Sequence, residues 1–329
     1  MDEPAVAITD ADIEAAVGRL SGRVVRTQLI SSPVLDMKVG ARVFIKPECL
    51  QRTGSFKFRG ATNAIGRIPD GARQRGVVAC SSGNHAQGVA EAARVAGIPA
   101  TIVMPHDAPS IKKARTVRSG ATVVGYDREN EDRVKIATDI AAETGATFVS
   151  PYDDPGVMAG QGTVGTEIAE DLAAIGVTPD RVLVPVSGGG LLSGVATAIK
   201  TRMPTTICQP VEPEGFDDTT RSLRSGQRET NTQKAGSIAD ALMSQAPGEL
   251  TFPVMARLAE PGVAVPDALI YKAMAFAFHE LKLVTEPGGA IALAALLGGL
   301  LDVDGETVVV VLSGGNVDPS MLMRALDDA

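Results

Sequence analysis

The sequence predicts an α/β fold built from two open, mainly parallel sheets with flanking helices. Three observations carry this expectation. Short β-branched runs alternate with longer, Ala-rich amphipathic runs along most of the chain, the pattern of successive βα units. Glycine follows several of the helical runs, where it takes the left-handed cap conformation without a Cβ penalty. The length of 329 residues exceeds one ordinary domain, so two lobes are expected.

The first lobe reads continuously from Val77 to Val149. Val77–Cys80 is predicted as a strand, His85–Ala96 as a helix closed by Gly97, and Ala100–Met104 as the next strand. Ser110–Ser119 then reads as a helix ended by Gly120, and Ala121–Val124 as a strand. Arg128–Thr144 reads as a helix ended by Gly145, and Ala146–Val149 as the last strand. Such units give parallel strands with right-handed crossovers. The second lobe is drawn from both ends of the chain. Its strands are expected at Arg42–Lys46, Arg181–Val186, Thr206–Val211 and Thr307–Leu312, and its helices at Gly162–Ala174, Leu191–Lys200, Ala268–Leu281 and Gly289–Leu300. The expected division is a small domain of residues 53–152 and a large one of residues 1–52 and 153–329. No Gly/Ser-rich or Pro-rich tether separates them, so the lobes should be closely joined. The polar segment Thr219–Gln233 reads as a surface excursion.

Composition narrows the function. Hydrophobic residues make up 44% and charged residues 21%, the balance of an ordinary globular protein. A net charge of −8 without a basic cluster argues against nucleic acid as a partner. The apolar stretch Ala290–Leu301 is only about half of the ~20 residues that a membrane span needs. The N-terminus, MDEPAVAITDADIEAA, is acidic and unlike a targeting segment, so a cytoplasmic location is expected. Cys49, Cys80 and Cys208 form no CxxC pair and read as reduced thiols. His85, His106 and His279 are scattered, so no zinc site is expected.

Four Gly- or Ser-rich loops carry the chemistry: TGSFKFRGA (Thr53–Ala61), SSGNHAQG (Ser81–Gly88), SGGGLLSG (Ser187–Gly194) and LSGGN (Leu312–Asn316). Ligands of open parallel sheets sit beyond the carboxyl ends of the strands, where such loops gather. SGGGLLSG follows a strand and opens a helix, so its N–H groups and the helix dipole suit a phosphate. A tight turn is the bland alternative. A dinucleotide site is another, because Glu212 lies near the distance expected of a ribose-binding acid, although Ser193 stands where the third glycine should be. Lys57 lies between Phe56 and Phe58, in a loop entered by Gly54 and left by Gly60. A lysine in partly apolar surroundings has a lowered pKa and becomes a nucleophile toward aldehydes. With a phosphate cradle nearby, it suggests a phosphorylated aldehyde held as a Schiff base.

The set GSFKFRGA, SSGNHAQG, SGGGLLSG, VEPEGFDD, EPGGA and LSGGN, in that order between Lys46 and Asn316, resembles the threonine dehydratase and serine racemase family. Within it, the resemblance is to the racemase-like and 3-hydroxyaspartate-dehydratase-like branch. These are pyridoxal-phosphate enzymes of the second fold type, similar to the β chain of tryptophan synthase. The resemblance implies pyridoxal 5'-phosphate as cofactor, bound by the large domain, and a β-hydroxy amino acid as substrate. A homodimer is expected.

Carried over by position, the resemblance makes Lys57 the cofactor's anchor and the base that shuttles the Cα proton, with Phe56 packed on the cofactor ring. Asn84 is implied for the ring hydroxyl, and Ser81, Ser82, Asn84 and His85 for the substrate carboxylate. For the serines, a helix N-cap is the plain alternative. Gly188, Gly189, Gly190 and Leu191 are implied for the phosphate, and Ser313 for the pyridine nitrogen. Glu212, Asp218 and the carbonyl of Phe216 match a divalent-metal site whose oxygen ligands suit Mg²⁺, Mn²⁺ or Ca²⁺; an ordinary acidic turn is the alternative. Many dehydratases of this family have alanine where Ser82 stands. In racemases and 3-hydroxyaspartate dehydratases the second serine serves as an acid/base on the opposite face. Arg133 matches an arginine near the substrate and suits a second carboxylate; a solvated surface arginine is the alternative. No regulatory domain is expected after residue 329.

The expected reaction is elimination of water and ammonia from serine, threonine or 3-hydroxyaspartate to give a 2-keto acid. A serine or aspartate racemase with dehydratase side activity is the alternative. A nicotinamide-dependent oxidoreductase and a cofactor-free binding protein stand further off.

Overall fold

The computed structural model describes residues 7–108 and 110–327; the first six residues of the acidic N-terminal stretch lie outside the described residues. Ten strands form two sheets. The larger contains β1 (Ile30–Ser31), β2 (Arg42–Pro47), β7 (Arg181–Pro185), β8 (Ile207–Pro213), β9 (Val263–Val265) and β10 (Thr307–Leu312), in the order β1-β2-β10-β7-β8-β9. The smaller contains β3 (Val77–Cys80), β4 (Ala100–Pro105), β5 (Thr122–Tyr126) and β6 (Thr147–Phe148), in the order β5-β4-β3-β6. Every pairing is parallel except β1 with β2. Two parallel-sheet lobes, one drawn from both ends of the chain, match the expected fold class.

Side-chain alternation explains why the strands read as continuous apolar runs. Along β10, Val308, Val310 and Leu312 enter one core, while Val309 and Val311 enter the core on the other face. The small sheet does the same, with Val77 and Ala79 on one side and Val78 and Cys80 on the other. Gly97 and Gly145 close their helices in the left-handed conformation, each at φ 69°. No helix among the described residues is long and apolar enough to cross a membrane.

Several expectations need correction. Lys57 does not lie in a loop that Gly60 ends; it opens a helix, Lys57–Gly66. Gly60 is inside that helix because the helix Pro155–Ala173 crosses it closely: a Cβ on Gly160 would fall 2.7 Å from the Gly60 Cα. The segment Thr219–Gln233 is not merely an excursion, since Asp218–Ser225 is helical and buries Thr219, Thr220 and Ser222. The helix expected from Arg128 begins at Arg133, because Asp132 caps it by accepting from the N–H groups of Val134 and Lys135. Two strands, β1 and β9, escape the sequence reading altogether.

A buried ionic network joins β2 to the helices Lys57–Gly66 and Pro155–Ala173. Arg59, with no exposed surface, donates from Nε to Glu48 at 2.8 Å and from Nη1 to Glu167 at 2.7 Å. Lys46, equally buried, donates to the other Glu167 oxygen at 2.6 Å. Two cations face two carboxylates, so the charges balance. Removal of one partner from such a set leaves an uncompensated buried charge and costs about 3–5 kcal/mol. The helix that carries Lys57 is thereby held in one register.

Candidate active site

Lys57 is the first residue of its helix, and its amine donates to the Pro151 carbonyl at 2.7 Å. The same nitrogen lies 5.0 Å from the centre of the Phe56 ring. Burial draws the amine down to about 8 from its ordinary 10.5, against the upward pull of the Glu286 charge. Its hydrogen-bond partner is neutral and no ion pair with a described residue holds it charged, so it is poised to act as a nucleophile or base.

Two helices near this amine start without side-chain caps, one packed on the Lys57 backbone and the other on Tyr152, next to its Pro151 partner. The helix Gly190–Arg202 starts from Gly189, whose φ of 94° suits glycine, and no side chain accepts from its first N–H groups. The Tyr152 ring covers this turn, so a Cβ on Gly188 would sit 2.4 Å from ring carbons Cγ, Cδ1 and Cδ2. That geometry fits an anion bound by the backbone of Gly188, Gly189, Gly190 and Leu191. The helix Asn84–Ala96 starts from Gly83, again with no side-chain cap. The N-cap alternative for the serines therefore fails: the Ser81 hydroxyl accepts from the Gly83 N–H at 3.1 Å, and Ser82 is half-buried with its hydroxyl unpaired among the described residues. The free N–H groups suit a second anion, such as an amino-acid carboxylate. This helix lies hard against Lys57, since a Cβ on Gly88 would be 3.2 Å from the Lys57 carbonyl carbon.

The far wall unites loops distant in sequence. Asn84 accepts from the Asn316 amide at 2.8 Å and donates to Glu286 at 2.5 Å, which leaves one amide hydrogen available for a ligand hydroxyl. Ser313 lies beside them; its carbonyl accepts from the Phe56 N–H at 3.1 Å. Its hydroxyl makes no bond to a described residue, so it fits a ring nitrogen. His85 is buried, with Nε2 2.9 Å from the Val149 carbonyl. Burial, and next the Lys57 charge, push its pKa down to about 3 and keep it neutral. Arg133 is exposed at the start of its helix, and its charge acts on Cys80 and Tyr152. Glu286, Asn316, Tyr152 and the Pro151 carbonyl are site groups to which sequence reasoning assigned no role. EPGGA and LSGGN contain the first two, and those motifs were the available signal.

Among the described residues, no three His, Cys, Asp or Glu side chains converge as a metal-binding set. Glu212 and Asp218 are fully buried close to one another, with Phe216 between them in sequence. Both Glu212 oxygens accept backbone N–H groups, from Thr219 at 2.8 Å and Thr220 at 2.7 Å. This use of Glu212 as a helix cap also removes the ribose-binding role weighed for it. Asp218 accepts from Asn231 through Oδ1 and leaves Oδ2 buried and unpaired. Burial raises Glu212 to about 8, with the Asp218 charge adding to it, and burial raises Asp218 to about 7. An orphaned oxygen in a buried acidic pair fits a cation.

Comparison with known proteins agrees with this geometry. Residues 20–314 match the family described as pyridoxal-phosphate dependent enzyme. The chain is 44% identical over 307 residues to L-threo-3-hydroxyaspartate ammonia-lyase from Pseudomonas sp, covering 93% of this chain and 95% of that one. It is 44% identical over 320 residues to L-threonine ammonia-lyase from Thermotoga maritima, covering 97% of this chain and 78% of the other. Among solved structures, maize serine racemase superposes with a TM-score of 0.91 at 37% identity, over 98% of this chain and 97% of that one. Likeness of this degree over nearly the whole chain makes the protein a member of the pyridoxal-phosphate dependent enzymes.

Proposed function

We propose that the protein is an ammonia-lyase that removes water and ammonia from a small β-hydroxy amino acid and leaves a 2-keto acid. The observation that carries this reading is a desolvated lysine near two uncapped helix starts, one packed on its own backbone and the other on Tyr152 next to its Pro151 partner. One end suits the cofactor phosphate and the other the substrate carboxylate. Bound pyridoxal phosphate supplies an aldehyde for amines and a sink for the electrons released at Cα. Gly188, Gly189, Gly190 and Leu191 hold its phosphate, Asn84 its hydroxyl and Ser313 its ring nitrogen, with Phe56 beside the ring. Ser313 is not a carboxylate, so it leaves that nitrogen largely unprotonated. Ser81, Ser82, Asn84 and His85 orient the substrate carboxylate, and Lys57 takes the Cα proton. Assays of ammonia and keto-acid release from serine, threonine and 3-hydroxyaspartate test the reading, and no release from any of the three overturns it.

Arg133 favours 3-hydroxyaspartate within this class. It is exposed, no carboxylate among the described residues pairs with it, and its charge acts on Tyr152 beside the glycine turn. Arg133→Gln should lower kcat/KM for 3-hydroxyaspartate by about 10- to 100-fold, the worth of a charge-assisted bond, and change that for threonine little. Equal losses on both substrates refute the assignment.

Ser82, with its hydroxyl unpaired among the described residues, supports a second reading in which the enzyme also racemises its substrate. Glu212, Asp218 and the Phe216 carbonyl hold a divalent cation in this reading, with a structural role. The chain divides into a large cofactor-binding domain, residues 1–52 and 153–329, with the glycine turn and Ser313, and a small domain, residues 53–152, that adds Phe56, Lys57 and Asn84. It acts in the cytoplasm as a homodimer. Val34 and Met37, exposed at 45% and 79% on one face of the helix Pro33–Val39, suit contact with a second copy.

A further inference from the structure

Three consecutive residues touch three separate parts of the site. Pro151 accepts from the Lys57 amine at 2.7 Å. Tyr152 lays its ring over Gly188. Asp153 accepts from the N–H groups of Glu249 at 3.0 Å, Leu250 at 2.8 Å and Thr251 at 3.2 Å. Its carboxylate thus caps the helix Thr251–Leu258, which has no side-chain cap of its own.

Thr251 is fully buried and turns back toward the glycine turn, donating from Oγ1 to the Gly188 carbonyl at 2.6 Å. The Gly248 N–H donates to the same carbonyl at 3.1 Å. The peptide that joins Gly188 to Gly189 is planar and trans, so its carbonyl and its N–H point in opposite directions. Two donors on the Gly188 carbonyl therefore aim the Gly189 N–H away from Thr251. Glycine alone does not enforce this orientation, because its backbone is permissive in both senses.

We infer that Thr251, seated by Asp153, is a positioning residue that orients the Gly188–Gly189 peptide for the cofactor phosphate. Residues 151–153 thereby tie the phosphate cradle to the lysine. The inference rests on the proposal that Gly188–Leu191 form that cradle. Thr251 acts through the peptide, from the side opposite the N–H it aims.

The test titrates apoproteins of the wild type, Thr251→Val, Thr251→Ser and Asp153→Ala with pyridoxal phosphate, and records the phosphorus NMR shift of the bound cofactor and the melting of each apoprotein. Thr251→Val should weaken cofactor binding about tenfold, the scale of one buried hydrogen bond, and move the phosphorus resonance. Thr251→Ser should restore both, and Asp153→Ala should shift both in the same direction by a smaller factor. If Thr251→Val does not fold, Asp153→Ala decides by the same readouts. A lower apoprotein melting temperature with unchanged affinity and resonance would show a merely structural role and overturn the inference. A wild-type resonance like that of free cofactor would instead refute the cradle, and this inference with it.

Discussion

The pKa of Lys57 can be tested before any substrate is added, through the rate at which apoprotein takes up pyridoxal phosphate. Only the neutral amine attacks an aldehyde. Burial draws that amine down to about 8 from 10.5. Each pKa unit is a factor of ten in the neutral fraction, so at pH 7 the shift raises that fraction roughly 300-fold. Uptake, followed as visible absorbance in stopped flow, should rise about tenfold per pH unit and level off near the shifted value. A rise that continues to the ordinary lysine pKa would refute the assignment. Glu286→Gln gives the sign test. Its charge raises the Lys57 pKa, so its removal should move the break lower and speed uptake at neutral pH. A break that stays or moves up would show that the two groups do not communicate. The same shift sets a stability trend for the apoprotein. Folding disfavours protonated Lys57, so stability is lowest below about pH 8 and rises toward the ordinary value of 10.5.

Other outcomes follow from the same geometry. Lys57→Ala should lower turnover by at least about a thousandfold, within the range that a positioned base contributes, and steady-state ammonia release checks it. Ser82→Ala should keep elimination from the preferred enantiomer within about threefold while racemisation falls, since only racemisation needs a group on the second face. Chiral chromatography of residual substrate, run beside keto-acid production, separates the two, and a parallel fall assigns Ser82 to carboxylate binding. Chelator should lower the melting temperature by roughly 5 °C, from about 2.7 kcal/mol of linkage at hundredfold saturation, and Mg²⁺ or Mn²⁺ should restore it. No response, with no metal by elemental analysis, removes the cation from Glu212 and Asp218.

The strands that run through the middles of both sheets were legible because parallel strands are covered on both faces and must be apolar throughout. Val77–Cys80 and Thr307–Leu312 were read at their observed bounds. Strand β1 was not legible: two residues opposite Phe44 and Ile45 are too short to show alternation. The helix Lys57–Gly66 was missed because Gly60 and Gly66 argue against a helix by propensity, and close packing on Gly160 overrides it. The helix Pro155–Ala173 was begun seven residues late for a similar reason, since its glycines let Ile13 and Val195 approach. Within the site, local motifs located the lysine, the asparagine loop and the glycine turn. The contact of Asn84 with Glu286 spans 202 residues and its contact with Asn316 spans 232, so no local pattern could show them.

Burial alone does not single out the lysine proposed to react. Lys46 has no exposed surface, and burial lowers its pKa as well. Its amine, however, is fixed between the Thr27 carbonyl and the Glu167 carboxylate, and no ligand can reach it. Its charged form is the one its surroundings were built around, because Glu48, Arg59 and Glu167 complete a neutral set. Lys57 has the opposite arrangement. Its partner is a neutral carbonyl, its side chain is only half-buried, and two helices without side-chain caps start nearby. The two sites lie on one continuous piece of structure, since Arg59 is two residues along the helix that Lys57 begins. The ionic network therefore holds in register the helix that Lys57 begins. Exchanging the two lysines' surroundings would require both an opening at Lys46 and a carboxylate at Lys57, so position in the charge pattern, rather than depth, distinguishes the amine proposed to react.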